Sequence, residues 1–165
     1  MEDLVKYFMN MEIVKKNKVL LVLALVVIVV FFFFFIRLYH HDVKALEDFV
    51  ASYKKFDKAI SDFSISKTDD LENKASNAII ELSAKATFRL SSLIKNDALI
   101  PPLALEIADF SGKELDNLSS YKRAMQSKNA DLNVLAIEYG DLTSKRKDAY
   151  ARFQELAELK DQVKD

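Results

Sequence analysis

The hydrophobic and polar positions divide the chain into two parts with different patterns. An unbroken apolar run of 18 residues extends from Val19 to Ile36, with a basic residue on either side of it. A helix of this length spans about 27 Å, close to the roughly 30 Å of a bilayer hydrocarbon core. The pattern predicts an N-terminal tail over residues 1–18, a single transmembrane helix over residues 19–36 and a membrane-anchored helical bundle domain over residues 37–165.

A cleaved signal peptide is the alternative explanation of the apolar run. Signal peptides have apolar cores of about 7 to 15 residues, followed by small residues at the cleavage site. The run is longer than this, and the segment IRLYHH that follows it contains no small residue. We therefore expect an uncleaved anchor, with the lipid bilayer as a partner of the protein.

Basic residues flank the anchor unequally. Lys15, Lys16 and Lys18 precede it closely, whereas Arg37 and Lys44 follow it. Membrane proteins tend to keep their more basic flank in the cytoplasm. This predicts a cytoplasmic N-terminus and a C-terminal domain that faces outward, into a periplasm, a lumen or the exterior.

Beyond the anchor, apolar residues recur in alternating steps of three and four, which is typical of an amphipathic helix. This spacing predicts a first soluble helix from about Val43 to Phe63. Its apolar residues, which we call the first-helix seam, are Leu46, Phe49, Tyr53, Phe56, Ile60 and Phe63. The seam can pack within its own bundle or form a coiled coil with another copy. Independent coiled coils usually need about three or four heptads, so the shorter seam favours packing within the bundle.

Polar residues and prolines predict the boundaries of the next two helices. Thr68 is a typical N-cap residue for a second helix from Asp69 to about Ile94. Pro101 and Pro102 are tolerated only at the first turn of a helix, so they predict the start of a third helix. The apolar side of the second helix is expected to contain Leu71, Ala75, Ala78, Ile79, Leu82, Ala86, Leu90 and Leu93. That of the third is expected to contain Leu103, Ile107, Phe110, Leu118, Tyr121 and Met125.

Two glycines lie in the C-terminal part of the chain. Gly112 falls inside the third helix, where it suggests close packing or a slight bend. After a polar joint near residues 126–129, a short helical piece is expected to end at Gly140, because glycine is common just after a helix C-terminus. Asp141 or Thr143 is then expected to cap a last helix. Its buried residues are predicted to be Ala149, Phe153, Leu156 and Leu159.

Composition agrees with an all-α fold, here a single transmembrane helix followed by a helical bundle. Only two glycines and two prolines occur, which leaves few of the tight turns that β-hairpins need. The absence of cysteine excludes disulfides, thiolate catalysis and zinc-thiolate sites. Three of the 25 acidic and five of the 24 basic residues precede Asp42, which leaves 22 and 19 and a net charge of −3. Nucleic acid is therefore an unexpected partner, since phosphate binding needs a basic surface.

The sequence contains no pattern of residues that indicates catalysis. The two glycines are too far apart for a phosphate-binding loop. The paired His40 and His41 lie beside the predicted membrane surface without a third ligand nearby, so we expect an interfacial role. On the third helix, helical spacing predicts a solvated polar face containing Glu106, Asp109, Lys113 and Asp116. We therefore expect no enzyme activity, no catalytic, cofactor-binding or metal-ligating residue, no cofactor and no identifiable small-molecule ligand.

Two blocks of residues resemble the LemA family. The first contains Leu99, Ile100, Pro101, Leu103, Ile107, Phe110, Ser111, Glu114, Leu118 and Ala124. The second contains Leu135, Ala136, Glu138, Tyr139, Asp141, Leu142, Phe153, Gln154, Glu155 and Leu156. Gly140 stands where the family has proline, and Met125 where it usually has arginine. The resemblance implies a divergent member of a family of single-pass membrane proteins with an antiparallel helical bundle, some of which are associated with remodelling of bacterial membranes.

Three functions are compatible with these features. A membrane-anchored scaffold or membrane-remodelling protein would associate with itself or with other membrane proteins. An accessory subunit would bind a fixed partner in a membrane complex, and a sensor domain would bind a small ligand between its helices. The resemblance favours the first.

Overall fold

A computed structural model describes the backbone of residues 2–127 and 132–158, and the side chains of residues 17–20, 22–127 and 132–158. The described residues form four helices and no strand, as the all-α prediction required. The helices are α1 (Glu2–Ser66), α2 (Asp69–Ala86), α3 (Ile100–Ser127) and α4 (Leu132–Leu156). The chain divides into two compact units, Met1–His40 and His41–Asp165.

The described residues of the first unit all belong to α1 and include the apolar run. The large apolar side chains described between Val19 and Ile36 are each 40–69% exposed. Among the described residues, this is the one helix long and apolar enough to cross a membrane, a property that a signal sequence near the N-terminus shares.

The second unit begins with the part of α1 that contains the first-helix seam. All six seam residues are buried, and three of the phenylalanines, Phe49, Phe56 and Phe63, are fully enclosed. They belong to a single core with residues of α2, α3 and α4. The packing predicted from the spacing of three and four is therefore confirmed.

Helix α2 begins as predicted and ends earlier than predicted. The hydroxyl oxygen of Thr68 accepts a hydrogen bond from the backbone N–H of Leu71 at 3.4 Å, and Asp69 is the first helical residue. The helix ends at Ala86, and residues 87–99 form an irregular connection, so the expected end at Ile94 was wrong. Leu93 lies in this connection and is 38% exposed.

Helix α3 contains Pro101 and Pro102 in its first turn, where neither proline removes a hydrogen bond within the helix. A Cβ built on Gly112 meets no atom within 4 Å, so the close packing considered at this glycine is not found. Met125 is 51% exposed and does not belong to the apolar side on which we placed it. The buried face of α3 instead contains Ile107, Glu114 and Leu118.

Helix α4 runs without interruption through Gly140, Asp141 and Thr143. The predicted helix end at Gly140 and the predicted cap at Asp141 or Thr143 were therefore wrong. Ala149 and Phe153 are buried as expected, Leu156 is partly buried, and Leu159 lies outside the described residues. The packing of α4 against α3 stabilises this helix by more than the roughly 1 kcal/mol that a glycine costs inside a helix.

Contacts between helices show that the second unit is an antiparallel bundle. In the ion pairs Asp48–Lys85 and Lys55–Glu81, the later residue of α1 pairs with the earlier residue of α2, so the two helices run in opposite directions. Lys122, near the end of α3, is bonded to Asp69 and Glu72 at the start of α2. The ring pairs Phe49–Phe153 and Tyr53–Tyr150 set α1 antiparallel to α4. Consecutive helices therefore alternate in direction around one core.

Candidate functional site

The polar residues singled out from the sequence lie on the surface. His40 and His41 are exposed, and Nδ1 of His41 is 3.6 Å from a carboxylate oxygen of Asp42. On α3, Glu106, Asp109, Lys113 and Asp116 are all exposed, and Lys113 donates a hydrogen bond to Asp109 at 2.6 Å. No group of three or more metal-ligating side chains occurs within the part of the chain that the structure describes.

The bundle instead contains a buried ion pair between Arg146 and Glu114. We call this pair, together with the contacting residues Tyr53, Asp57 and Thr143, the Arg146 cluster. Nε of Arg146 donates to Oε2 of Glu114 at 2.5 Å, and the Thr143 hydroxyl donates to Oε1 of Glu114 at 2.6 Å. Glu114 is completely buried and Arg146 is 1% exposed. Both carboxylate oxygens of Glu114 are therefore satisfied inside the protein.

The remaining donors of Arg146 reach across to α1. Nη1 donates to the Tyr53 hydroxyl at 2.8 Å, and Nη2 lies 2.8 Å from Oδ1 of the half-exposed Asp57. The guanidinium carbon also lies 5.3 Å from the ring centre of Tyr53 and 5.5 Å from that of Phe56. Arg146 thus ties α4 to α3 through Glu114 and to α1 through Tyr53 and Asp57.

Burial shifts the acidity of the aromatic groups beside the cluster. The rings of Tyr53 and Tyr150 stack with their centres 3.6 Å apart. Burial raises the pKa of Tyr150 to about 12, and it raises that of Tyr53 still further. Both phenols stay protonated near neutral pH, so neither supplies a base there. The buried charges of Arg146 and Glu114 neutralise each other, and the contacts of Arg146 hold three helices together.

Sequence reasoning missed this pairing, although one signal was available. Glu114 lies between Ile107 and Leu118, at a position where the helical spacing of α3 predicts an apolar residue. A charged residue is unusual at such a position. Arg146 holds the same kind of position between Leu142 and Ala149 on α4. A charged residue within an apolar stripe indicates a buried partner, because an unpaired buried charge is very costly.

Two further polar contacts fasten the ends of the bundle. Oδ2 of the buried Asp42 accepts a hydrogen bond from the backbone N–H of Ser91 at 3.0 Å and another from the Ser91 hydroxyl. At the opposite end of the bundle, the Lys122 amine donates hydrogen bonds to the carboxylates of Asp69 and Glu72. These hydrogen bonds raise the pKa of Lys122. Asp42 therefore joins the start of the second unit to the connection between α2 and α3.

A cavity of about 300 Å³ lies between α3 and α4, lined by Asn117, Ser120, Leu135 and Glu138 among others. Nδ2 of Asn117 donates to Glu138 at 2.9 Å, while its buried Oδ1 has no hydrogen-bond partner among the described residues. A second cavity, of about 380 Å³, lies between α1 and α2. It is lined by Lys55, Lys58, Ala59, Asp62, Leu71, Lys74, Asn77 and Ala78.

Comparison with known proteins gives no match: no family model, no curated protein and no solved structure is significantly similar to this chain.

Proposed function

We propose that the protein is a non-enzymatic, membrane-anchored helical scaffold or assembly protein. In this proposal residues 19–36 are the single transmembrane helix, and residues 37–165 are the bundle domain. The observation that carries the proposal is the exposure of apolar side chains on every side of the first unit's helix.

The physical argument for insertion rests on the size of this apolar surface. Burial of one large apolar side chain contributes about 1.5–3 kcal/mol, and the apolar run has 17 such side chains besides Ala24. A helix that is apolar all round is stable in a membrane or in the core of a large protein. A helix also satisfies its own backbone hydrogen bonds, which the hydrocarbon core requires.

The scaffold part of the proposal rests on how the bundle uses its charged residues. The Arg146 cluster holds α1, α3 and α4 together, and its groups bond to one another rather than to a cavity. Such a bundle presents a defined outer surface for other proteins. The proposed partners are the bilayer and further copies of the chain or other membrane proteins.

We also propose that the chain is a divergent LemA protein, in a cell membrane or an internal bacterial membrane. Part of the resembling pattern lies at buried positions, namely Ile107, Ser111, Glu114 and Leu118 on α3 and Leu142 on α4. Leu99, Ala136, Glu138, Asp141 and Glu155 are exposed. The support for this proposal is therefore the buried part of the pattern, which reflects packing.

Washing isolated membranes with carbonate or high salt tests the anchor. The full chain should stay in the membrane fraction and be released only by detergent, because the apolar run inserts rather than adheres. Replacing Leu23 and Val27 together with lysine adds about 2.5–3.5 kcal/mol per residue to the cost of insertion and should weaken retention. The variant carrying Phe32→Leu is the matched control and should be retained. Release of the unaltered chain by salt alone would refute the anchor.

Co-purification of two differently tagged copies from gently solubilised membranes tests the scaffold. Recovery of both tags together supports self-association. Recovery of one other protein in fixed proportion, without the second tag, would favour an accessory subunit instead. Thermal stabilisation by a small ligand would favour a sensor, since a ligand stabilises the state that binds it.

A further inference from the structure

The cavity between α3 and α4, of about 300 Å³, has both polar and apolar walls. Its polar side chains include Lys113, Asp116, Asn117 and Glu138, and its apolar side chains are Leu135 and Leu142. Ligand pockets in proteins range from about 300 to 1,000 Å³. One water molecule needs only about 10–15 Å³ of such space. The cavity therefore has room for a small organic molecule.

One buried acceptor in the wall of this cavity has no partner. Asn117 is 7% exposed, and its Nδ2 donates to Oε2 of Glu138 at 2.9 Å. An ionised carboxylate only accepts hydrogen bonds, so the amide nitrogen of Asn117 faces Glu138 and the amide oxygen points elsewhere. This oxygen, Oδ1, is buried and accepts no hydrogen bond from any described residue. Because a buried acceptor without a donor destabilises the protein, the site favours a ligand that supplies an N–H or O–H group.

The charges around the cavity favour a positively charged ligand. Asp116 and Glu138 contribute two carboxylates and Lys113 contributes one amine, so the lining has a net charge of −1. The Lys113 amine donates at 2.6 Å to Asp109, which lies outside the lining. Within the described part of the chain no three metal-ligating side chains come together, whereas cations such as Ca²⁺ need about six or more oxygen ligands. An organic cation therefore fits the cavity better than a metal ion does.

We propose that the cavity between α3 and α4 binds a small organic cation with a primary ammonium group. An ammonium group has three N–H donors, of which one reaches Oδ1 of Asn117 and another the carboxylate of Glu138. Hydrogen bonds of this charged kind are stronger than those between neutral groups. The aliphatic part of the ligand lies against Leu135 and Leu142. The site adds the binding of a small molecule to the proposed scaffold, and it requires neither the anchor nor self-association.

Isothermal titration calorimetry of the full chain in an uncharged detergent tests the site, with butylammonium as the ligand. Tetramethylammonium is the control ligand, because it has the same charge and no N–H to donate. Glu138→Gln removes a carboxylate from the cavity and keeps the shape of the side chain, and Asn117→Leu removes the unpaired acceptor. Asp148→Asn is the matched control variant. Asp148 is an exposed carboxylate on the same helix, ten residues or about 15 Å from Glu138.

We expect one butylammonium ion to bind per chain with a saturable signal. Loss of a hydrogen bond to a charged group lowers affinity by about tenfold or more, so tetramethylammonium should bind at least about tenfold more weakly. Glu138→Gln and Asn117→Leu should each weaken the binding of butylammonium by a similar factor, and Asp148→Asn should leave it unchanged. Glu138 is exposed, so its variant decides the matter even if Asn117→Leu fails to fold.

Absence of binding at a large excess of butylammonium would overturn the proposal, and a bound water would then satisfy Oδ1 of Asn117. Equal affinity for tetramethylammonium would also overturn it, because binding would then depend on surface charge alone. The same conclusion follows if Glu138→Gln binds butylammonium as tightly as Asp148→Asn does. Co-purification of the tagged copies tests the scaffold separately, so the two proposals can fail independently.

Discussion

Removal of both members of the Glu114–Arg146 pair should destabilise the bundle by less than the sum of the two single removals. Arg146→Met leaves the completely buried Glu114 carboxylate with the Thr143 hydroxyl as its remaining donor. Breaking a buried pair in this way costs about 3–5 kcal/mol. Asp57 adds little to this cost, because its side chain is 46% exposed and remains hydrated.

The double variant Glu114→Leu with Arg146→Met separates the charge from the packing. It removes both buried charges and leaves the hydroxyls of Tyr53 and Thr143 without their partners, at about 1–3 kcal/mol each. The two single variants together should cost about 6–10 kcal/mol. The double variant should therefore cost about 2–6 kcal/mol, which is about 4 kcal/mol less than this sum.

Urea unfolding of the full chain in mild detergent measures these differences, with near-ultraviolet circular dichroism as the signal of aromatic packing. Lys145→Met is the matched control, since Lys145 is the exposed neighbour of Arg146 and pairs with Asp141 on the surface at 2.7 Å. It should change the free energy of unfolding by less than about 0.5 kcal/mol. Single variants whose effects add to within about 0.5 kcal/mol would refute the coupling between Glu114 and Arg146.

Three other predictions test the core, its tyrosines and the orientation of the chain. Phe56→Glu places a charge in a fully buried position and should destabilise the whole bundle by several kcal/mol, roughly 3 or more, whereas Ala51→Glu on the exposed side of α1 should not. If Phe56→Glu melts like the unaltered chain at every concentration and only its oligomeric state falls, the first-helix seam is an assembly surface. Burial raises the pKa of Tyr150 to about 12, so the stability from its protonated form is complete below the unfolded value of about 10 and is lost as the pH rises through 12. Ultraviolet titration with Tyr150→Phe checks this, and titration of every tyrosine near pH 10 in the folded protein contradicts it. Protease added to intact spheroplasts should digest the C-terminal domain, and its protection would reverse the predicted orientation.

Much of the fold could be predicted because its signals are local. The spacing of the first-helix seam identified six buried residues correctly, since helical geometry alone places such positions on one face. Thr68 and the two prolines marked the starts of α2 and α3, because capping and the missing proline N–H act within one turn.

Helix ends and buried polar pairs could not be predicted in the same way. Leu90 and Leu93 continue the apolar spacing of α2, yet the chain leaves the helix at Ala86, and Ser91 bonds to Asp42 at a separation of 49 residues. Gly140 has the local character of a helix end, and the packing of α4 on α3 overrides it.

The apolar run, the helical class, the first-helix seam and the starts of α2 and α3 follow from the amino-acid sequence alone, because each depends on residues within a few positions of one another. The partners of Glu114, Arg146 and Asp42 depend instead on the tertiary structure. These partners lie 32 residues apart in one case and 49 in the other. The free energy of a buried charge depends on the groups that surround it in space, and those groups come together only when the bundle closes.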